Sequence, residues 1–451
     1  MVTSMRSFCA GFVALVFLAV APAAFAILPI EHWQTASGAQ VYFVANRSLP
    51  MIDLSVEFPA GYGYDSPEKS GAAAMTNGIL RLGAEGLSED DIARRLADIG
   101  AEMGGRFDAD GAGLSLRTLS DPQRRRQALD VFTRTLHTPV FSAAVLDREK
   151  VRQIGALKEA DLRPDTQVSR VFYRMAYGRH PYALRSTGEV ATVGSLSRDD
   201  LIAFYRGHYV AERAVVAIMG DLSRAEAEAI AEQVTRGLPR VDSAVPALPR
   251  VEPLEQEITR MVSHPAAQSH ILIGAPGISR TDPDYFPLFV GNHILGGGGF
   301  VSRITDEVRQ KRGLAYSAYS YFSPMQMRGP FIIGMQTRRD QATEALAVVR
   351  KTLRDFVANG PTEKELIAAK QNIVGGFPMR IDSNRKIHAY LGLIGFYGLP
   401  ITYLEDFIGN VERVTVADVK AAFTRRIDPD RLVTVVVGTD ADQTVSASPT
   451  H

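Results

Sequence analysis

The chain has 451 residues, 46% of them hydrophobic, and its 50 basic residues are matched by 50 acidic ones, giving a formal net charge of zero. That balance excludes the basic stripe of a nucleic-acid binder and the basic amphipathic face of a membrane-surface protein. The apolar content suits large cores, and the length suits two or three domains.

Residues 1–26 read as a secretory signal peptide, with Arg6 ahead of an uncharged apolar run over 10–20, then Pro22 and Ala24-Phe25-Ala26. The run is shorter than the roughly 20 residues a bilayer-spanning helix needs, and no later stretch reaches that length without charge. The mature chain is therefore expected to begin near Ile27, to insert in no membrane, and to be exported across the inner membrane into the bacterial periplasm. The only cysteine, Cys9, leaves with the signal, so no thiol remains for a disulfide, a Cys-metal site or nucleophilic catalysis.

The first domain is expected over 27–238. Strands are predicted at 41–44, 52–58 and 114–118, the second alternating apolar and polar residues. Helix starts follow at Ser88-x-x-Asp91, Asp121-Pro122, Ser197-x-x-Asp200 and Ser223-x-x-Glu226. Four prolines between 239 and 253 (PRVDSAVPALPRVEP) mark an extended linker over 239–255. The second domain, 256–440, carries predicted strands at 258–262, 270–274 and 331–335 and helices at 341–357 and 362–373. Residues 441–451 are expected to form a flexible tail.

The two halves repeat. Residues 200–220 lie on 418–438 without a gap, and Asp200/Asp418, Ala203/Ala421, Arg213/Arg431, Val215/Val433 and Gly220/Gly438 are identical. Each copy reads as an amphipathic helix, a turn and an apolar β-branched strand closed by glycine. Hairpins grouped with helix pairs predict an α+β fold of two homologous domains, each a mainly antiparallel sheet with helices packed on one face.

The string over 291–322 (GNHILGGGGFVSRITDEVRQKRGLAYSAYSYF), the motif Tyr177-Gly178-x-His180-Pro181-Tyr182 and the segment 204–221 closely resemble the pitrilysin/insulinase-type zinc metallopeptidases and their processing-peptidase relatives. Catalytic members carry H-x-x-E-H on a helix and a further glutamate about 75 residues on, which supplies two imidazoles one helical turn apart, a general base and a third zinc ligand. By this resemblance the histidine positions fall on Ala74 and Gly78, the glutamate on Asn77 and the downstream ligand at Gln153, Ile154 or Gly155. All four roles are vacant together, so this chain is expected to bind no zinc itself.

The resemblance also implies a substrate-binding pair in the second domain, Arg309 and Tyr316, seven residues apart in Arg-Gln-Lys-Arg-Gly-Leu-Ala-Tyr. A guanidinium stays charged and offers forked donors to a peptide carbonyl, and a phenol adds another donor. Read from the residues alone, Arg309 is a solvated helix residue and Tyr316 a strand core residue, and it is the resemblance that turns the reading toward substrate binding.

Other features have plainer readings. Gly296 to Gly299 lack the Gly-Lys-Ser/Thr of a phosphate loop and read as a tight helix-to-helix turn, though some relatives use such a loop to sense substrate. His264 and His270 are separated by Pro265 and Ala266-Ala267, which breaks the strand a shared metal would need. His180 is expected to make a structural hydrogen bond, and Arg124-Arg125-Arg126 to form the polar face of a helix.

The function expected is that of a non-catalytic, substrate-binding subunit of a heterodimeric zinc metallopeptidase acting on peptides or unfolded segments, with the zinc in an H-x-x-E-H partner. Two alternatives stay open: a peptide-binding or scaffold protein with no catalytic partner, and an autonomous metallopeptidase with a displaced metal site.

Overall fold

The computed structural model describes residues 29–241 and 247–440, and the backbone of 443–446; the signal-peptide reading lies outside the described residues. In the first half the strands are β1 (Glu31–Gln34), β2 (Gln40–Ala45), β3 (Met51–Phe58), the small hairpin β4 (Gly83–Ala84) and β5 (Leu87–Ser88), β6 (Glu102–Phe107), β7 (Ala112–Leu119) and β8 (Val215–Gly220). In the second they are β9 (Ile258–Ser263), β10 (Gln268–Pro276), β11 (Ala315–Phe322), β12 (Pro330–Arg338), β13 (Val433–Thr439) and β14 (Gln443–Ser446).

Six strands pair in each half, in the orders β1-β2-β8-β3-β7-β6 and β11-β12-β10-β13-β9-β14. Both sheets are antiparallel except for one parallel pair each, β2 with β8 and β13 with β9. The α+β expectation of two homologous domains therefore holds. One detail differs: β14 pairs with β9 inside the stretch read as a flexible tail, because β9 offers a free ladder once β13 has filled its other side.

The repeat read in the sequence recurs as the same helix-and-strand unit in each half. Its strands are β8 and β13, and its helices, Arg198–His208 and Val416–Arg426, both start on capping boxes, Ser197 with Asp200 and Thr415 with Asp418.

Along β3, Ile52, Leu54, Val56 and Phe58 point into the first core, while Asp53, Ser55 and Glu57 on the opposite face are buried as well. Helix Asn384–Tyr397, from the second half, covers that face by lying across β2, β3 and β8. The exchange is reciprocal, because helix Pro164–Tyr177, from the first half, lies across β10 and β13. Each sheet thus has its own helices on one face and a donated helix on the other.

The donated helix Asn384–Tyr397 approaches very closely. A Cβ on Gly395 would sit 2.5 Å from Val215 Cγ1 and 2.6 Å from Tyr42 Cε2, and one on Gly392 would sit 2.6 Å from Glu57 Oε1. The polar residues beneath are paired: Arg117 forks onto Asp53 at 2.7 and 2.8 Å, and Arg106 bridges Glu57 and Asp108. A cavity of about 470 Å³ remains between the halves, lined by Glu57, Arg106, Asp110, Arg280, His388 and Tyr397 among others.

The proline-rich linker is docked where it is described. Leu248 and Val251 are buried against Tyr62, Tyr177 and Tyr182, and the Pro249 carbonyl lies 2.9 Å from His180 Nε2.

Candidate functional site

Helix Ala72–Leu80 holds the three positions where the resemblance puts the zinc motif. It starts on Gly71, whose φ of 97° favours glycine, and Asp65 caps it by accepting from Gly71 N at 2.8 Å and Ala73 N at 2.9 Å. Burial outweighs those two hydrogen bonds and pushes the Asp65 carboxyl up to about 7.

Ala74 and Gly78, one turn apart, are half-buried on a helix whose other residues are buried. A Cβ at Gly78 would meet nothing within 4 Å, so that histidine position looks onto open space. Asn77 is buried instead. Its amide donates to the Tyr209 hydroxyl at 3.1 Å and to the Gly113 carbonyl at 3.3 Å. A methyl, a hydrogen and an amide already engaged with its neighbours do not fit a zinc ion.

The expected third-ligand stretch lies on helix Ala143–Ala160, which packs against helix Ala72–Leu80. Gln153 and Ile154 are half-buried and Gly155 is exposed, and none has a carboxylate. Glu149, one turn earlier, is buried and engaged by Arg148 Nε at 3.2 Å and Arg152 Nε at 2.6 Å. Among the described residues, no group of three or more His, Cys, Asp or Glu side chains is placed to hold a metal ion.

Arg309 and Tyr316 do come together. Arg309 lies in a π-helical turn, Asp306–Gln310, and its guanidinium carbon sits 4.6 Å from the Tyr316 ring centroid. The other ring over that guanidinium is Phe300, also at 4.6 Å, so two aromatic rings lie against the cation. Among the described residues the Arg309 side chain has no ion-pair or hydrogen-bond partner, whereas its neighbours Lys311 and Arg312 are both held by Glu307.

Tyr316 is not a strand core residue: it is 81% exposed. The register of β11 on β12 shifts between Ala315 and Ser317, and the inserted Tyr316 is turned outward beside the exposed Ser317. Alternation alone could not foresee that, since a bulge moves one side chain off the period-2 pattern.

The glycine run forms the expected tight turn, although its geometry is a π-helical stretch, His293–Gly297, followed by a short 3-10 turn. A Cβ on Gly296 would lie 2.4 Å from Ser320 Oγ, which explains that glycine, and Gly299 has a φ of 66°. Phe300, 64% exposed at the end of the run, is the site residue that sequence reasoning missed; the signal available was a lone aromatic after four glycines.

His180 makes two structural contacts, Nε2 with the Pro249 carbonyl and Nδ1 with the Tyr182 amide. His264 lies past the end of β9 with Nε2 on the Leu162 carbonyl at 2.9 Å, while His270 is in β10, with β13 between the two strands. Arg125, on helix Pro122–His137, pairs with Glu226 at 2.9 Å between its more exposed neighbours Arg124 and Arg126.

Comparison with known proteins places this geometry. Residues 195–373 match the family described as Peptidase M16 inactive domain. A crystal structure of a peptidase M16 inactive domain from Pseudomonas fluorescens superposes with a TM-score of 0.87 at 38% identity, covering 91% of this chain and 98% of that one. The chain belongs to the peptidase M16 family, and within it to the inactive-domain kind. Two curated relatives are each 23% identical to it. One, from Bacillus subtilis, is named uncharacterized zinc protease YmxG and is matched over 78% of this chain and 85% of its own. The other, from Helicobacter pylori, is named non-peptidase homolog YmxG and is matched over 84% and 87%. No helix among the described residues is long and apolar enough to cross a membrane.

Proposed function

We propose that this chain is the substrate-binding, non-catalytic subunit of a two-chain zinc metallopeptidase acting on peptides or unfolded protein segments. The observation that carries this reading is the asymmetry of what the two halves retain. Helix Ala72–Leu80 carries no His, Cys, Asp or Glu, while the Arg309 guanidinium lies against both Phe300 and Tyr316 and, among the described residues, its side chain has no hydrogen-bond or ion-pair partner. In this reading the zinc belongs to an H-x-x-E-H partner, and this chain binds no cofactor. Arg309 and Tyr316 donate to the substrate's carbonyl oxygen, where fixed donors stabilise the charge that develops. The signal peptide read over residues 1–26 supports a location for the pair in the bacterial periplasm.

The test is cleavage of a quenched fluorescent peptide by the mature chain, alone and mixed with a co-encoded H-x-x-E-H relative, with and without chelator. Activity is expected only in the mixture and only without chelator, and Arg309→Ala should lower it by about 10²-fold. Chelator-sensitive activity from this chain alone would instead establish an autonomous metallopeptidase. A stable but silent complex would establish a scaffold or a peptide-binding module.

A further inference from the structure

Strand β11 reads Ala-Tyr-Ser-Ala-Tyr-Ser-Tyr-Phe, eight residues without a charge or a proline at one end of its sheet. Such an edge is ordinarily guarded by charge or proline against pairing with a further strand. Here the helical segment beside it does the guarding. Asn292 Nδ2 donates to the Ser320 carbonyl at 3.0 Å, Thr305 Oγ1 donates to the Ala318 carbonyl at 3.0 Å, and the backbone at Gly296 lies against Ser320. A peptide therefore cannot join β11 as a seventh strand through those groups. What stays open is the face.

On that face stand Tyr319 and Tyr321, 43% and 38% exposed, with ring centroids 6.0 Å apart and planes 18° from parallel. Tyr319 lies flat over its cross-strand partner Gly334, whose missing side chain makes room for the ring. The bulge turns Tyr316 outward near the start of the same strand, where it meets Arg309. From Tyr316 to Tyr321 the strand covers about 17 Å, the length of some five extended residues. Within electrostatic reach of Tyr321 is Tyr173, on the donated helix Pro164–Tyr177, which lies across β10 and β13. Tyr173 in turn lines a cavity of about 600 Å³ together with Tyr62, Phe107 and Leu184.

We propose that Tyr319 and Tyr321 form a recognition track for an extended peptide segment carrying apolar or aromatic side chains, running from Arg309 toward the cavity at Tyr173. This rests on the reading that Arg309 and Tyr316 contact substrate. Arg309 supplies charge for a main-chain carbonyl at one end, and the phenol rings read side chains along the rest. Stacked rings on a face whose neighbouring edge is closed select by side-chain area and not by a main-chain ladder. The substrate class is accordingly an unfolded segment with apolar residues at intervals, in preference to a polar one.

The experiment measures fluorescence anisotropy of two labelled ten-residue peptides with the mature chain. The peptides differ only in carrying phenylalanine or serine at alternate central positions. The wild type should bind the phenylalanine peptide about tenfold more tightly, as two aromatic contacts of ordinary strength provide. Tyr319→Ser with Tyr321→Ser should erase that preference and leave the serine peptide unchanged, while Tyr319→Phe with Tyr321→Phe, which keeps the rings, should retain it. Arg309→Ala should weaken both peptides alike. A preference that survives the serine variants, or is absent from the wild type, overturns the track. Binding of both peptides unaffected by Arg309→Ala, with the preference still lost in the serine variants, overturns the role of Arg309 and leaves the track standing. No binding of either peptide by the wild type overturns both.

Discussion

Tyr397, on the helix the second half donates, gives its phenolic hydrogen at 2.8 Å to the carboxylate of Asp110, in the β6–β7 turn of the first half. Asp110 is buried, and it also accepts from the Tyr182 hydroxyl and, at 2.7 Å, from the Gln326 amide in the turn between β11 and β12. Tyr182 extends the chain by accepting from the Met327 amide at 3.2 Å. Three hydrogen bonds from two halves thus converge on one carboxylate. Burial raises its pKa while the donors act against that.

Asp110→Asn is expected to destabilise the protein by about 2–4 kcal/mol, since the amide's single acceptor oxygen cannot serve three donors and its NH2 adds two more. The measurement is the urea midpoint of the mature chain. A change within 0.5 kcal/mol, taken roughly as the scatter of ordinary surface substitutions, would show that the contact is not holding the halves.

Gly395 yields a prediction whose sign is set by competing terms. Alanine is the better helix former by about 1 kcal/mol, so an exposed glycine at this place would be improved by the change. Here the added methyl would fall 2.5 Å from Val215 and 2.6 Å from Tyr42, inside the sheet of the other half, and overpacking of that kind costs about 1–3 kcal/mol. Gly395→Ala should therefore be net destabilising. Gly398→Ala is no control because its φ is 63°, whereas Gly375→Ala, with nothing within 4 Å of the new atom, should be neutral or stabilising. Thermal unfolding of both variants decides the matter.

The halves were legible in the sequence because the repeat over 200–220 and 418–438 carries its own helix cap, strand and closing glycine. Their interlocking was not. Helix Pro164–Tyr177 and helix Asn384–Tyr397 obey nearly the same offset as the repeat, yet an apolar helix face does not state which half's sheet it covers. Asp53, Ser55 and Glu57 alternate along β3 like a solvated face and are buried all the same, because their cover comes from more than three hundred positions away. β6, with Gly104 and Gly105 at its centre, lacked the β-branched signal of a strand and is held by β7. At the site, the vacant metal positions and the Arg309–Tyr316 pair were open to reading by resemblance. The stacking of Phe300 on Arg309 depends on two π-helical turns, which leave no periodicity in a sequence.

Restoring the resemblance's glutamate at Asn77 should cost stability without conferring activity. The amide now donates to both the Tyr209 hydroxyl and the Gly113 carbonyl. A carboxylate can accept from Tyr209 but meets the Gly113 carbonyl as a second acceptor, in a buried position. Asn77→Glu should lower stability by about 2–4 kcal/mol. By contrast Ala74→His with Gly78→His places two imidazoles on the half-buried face where a Cβ at 78 is free of contact, and should fold and take up cobalt as the spectroscopic probe. A double variant that folds yet shows no cobalt absorption would mean that the two positions do not converge.

Asp65 gives the protein a pH dependence of defined sign. Its carboxyl titrates near 7 in the folded chain against 3.8 for the unperturbed group, so the folded state holds this proton more tightly than the unfolded one. The stability tied to that proton is fully present in acid, falls as pH rises from about 4 to about 7, and is level above. The slope within the window is at most about 1.4 kcal/mol per pH unit. Other carboxylates titrate at the acid end: Glu365, held by Arg303 and Thr362 and lowered to about 2, loses its contribution as pH falls toward 2, the opposite direction. The comparison is therefore made between wild type and Asp65→Asn, which keeps an acceptor for the Gly71 and Ala73 amides but cannot titrate. The wild type's advantage in urea midpoint over Asp65→Asn should shrink between pH 5 and pH 7.5. A difference independent of pH across that range would show that Asp65 is ionised throughout, with its two backbone donors outweighing the cost of burial.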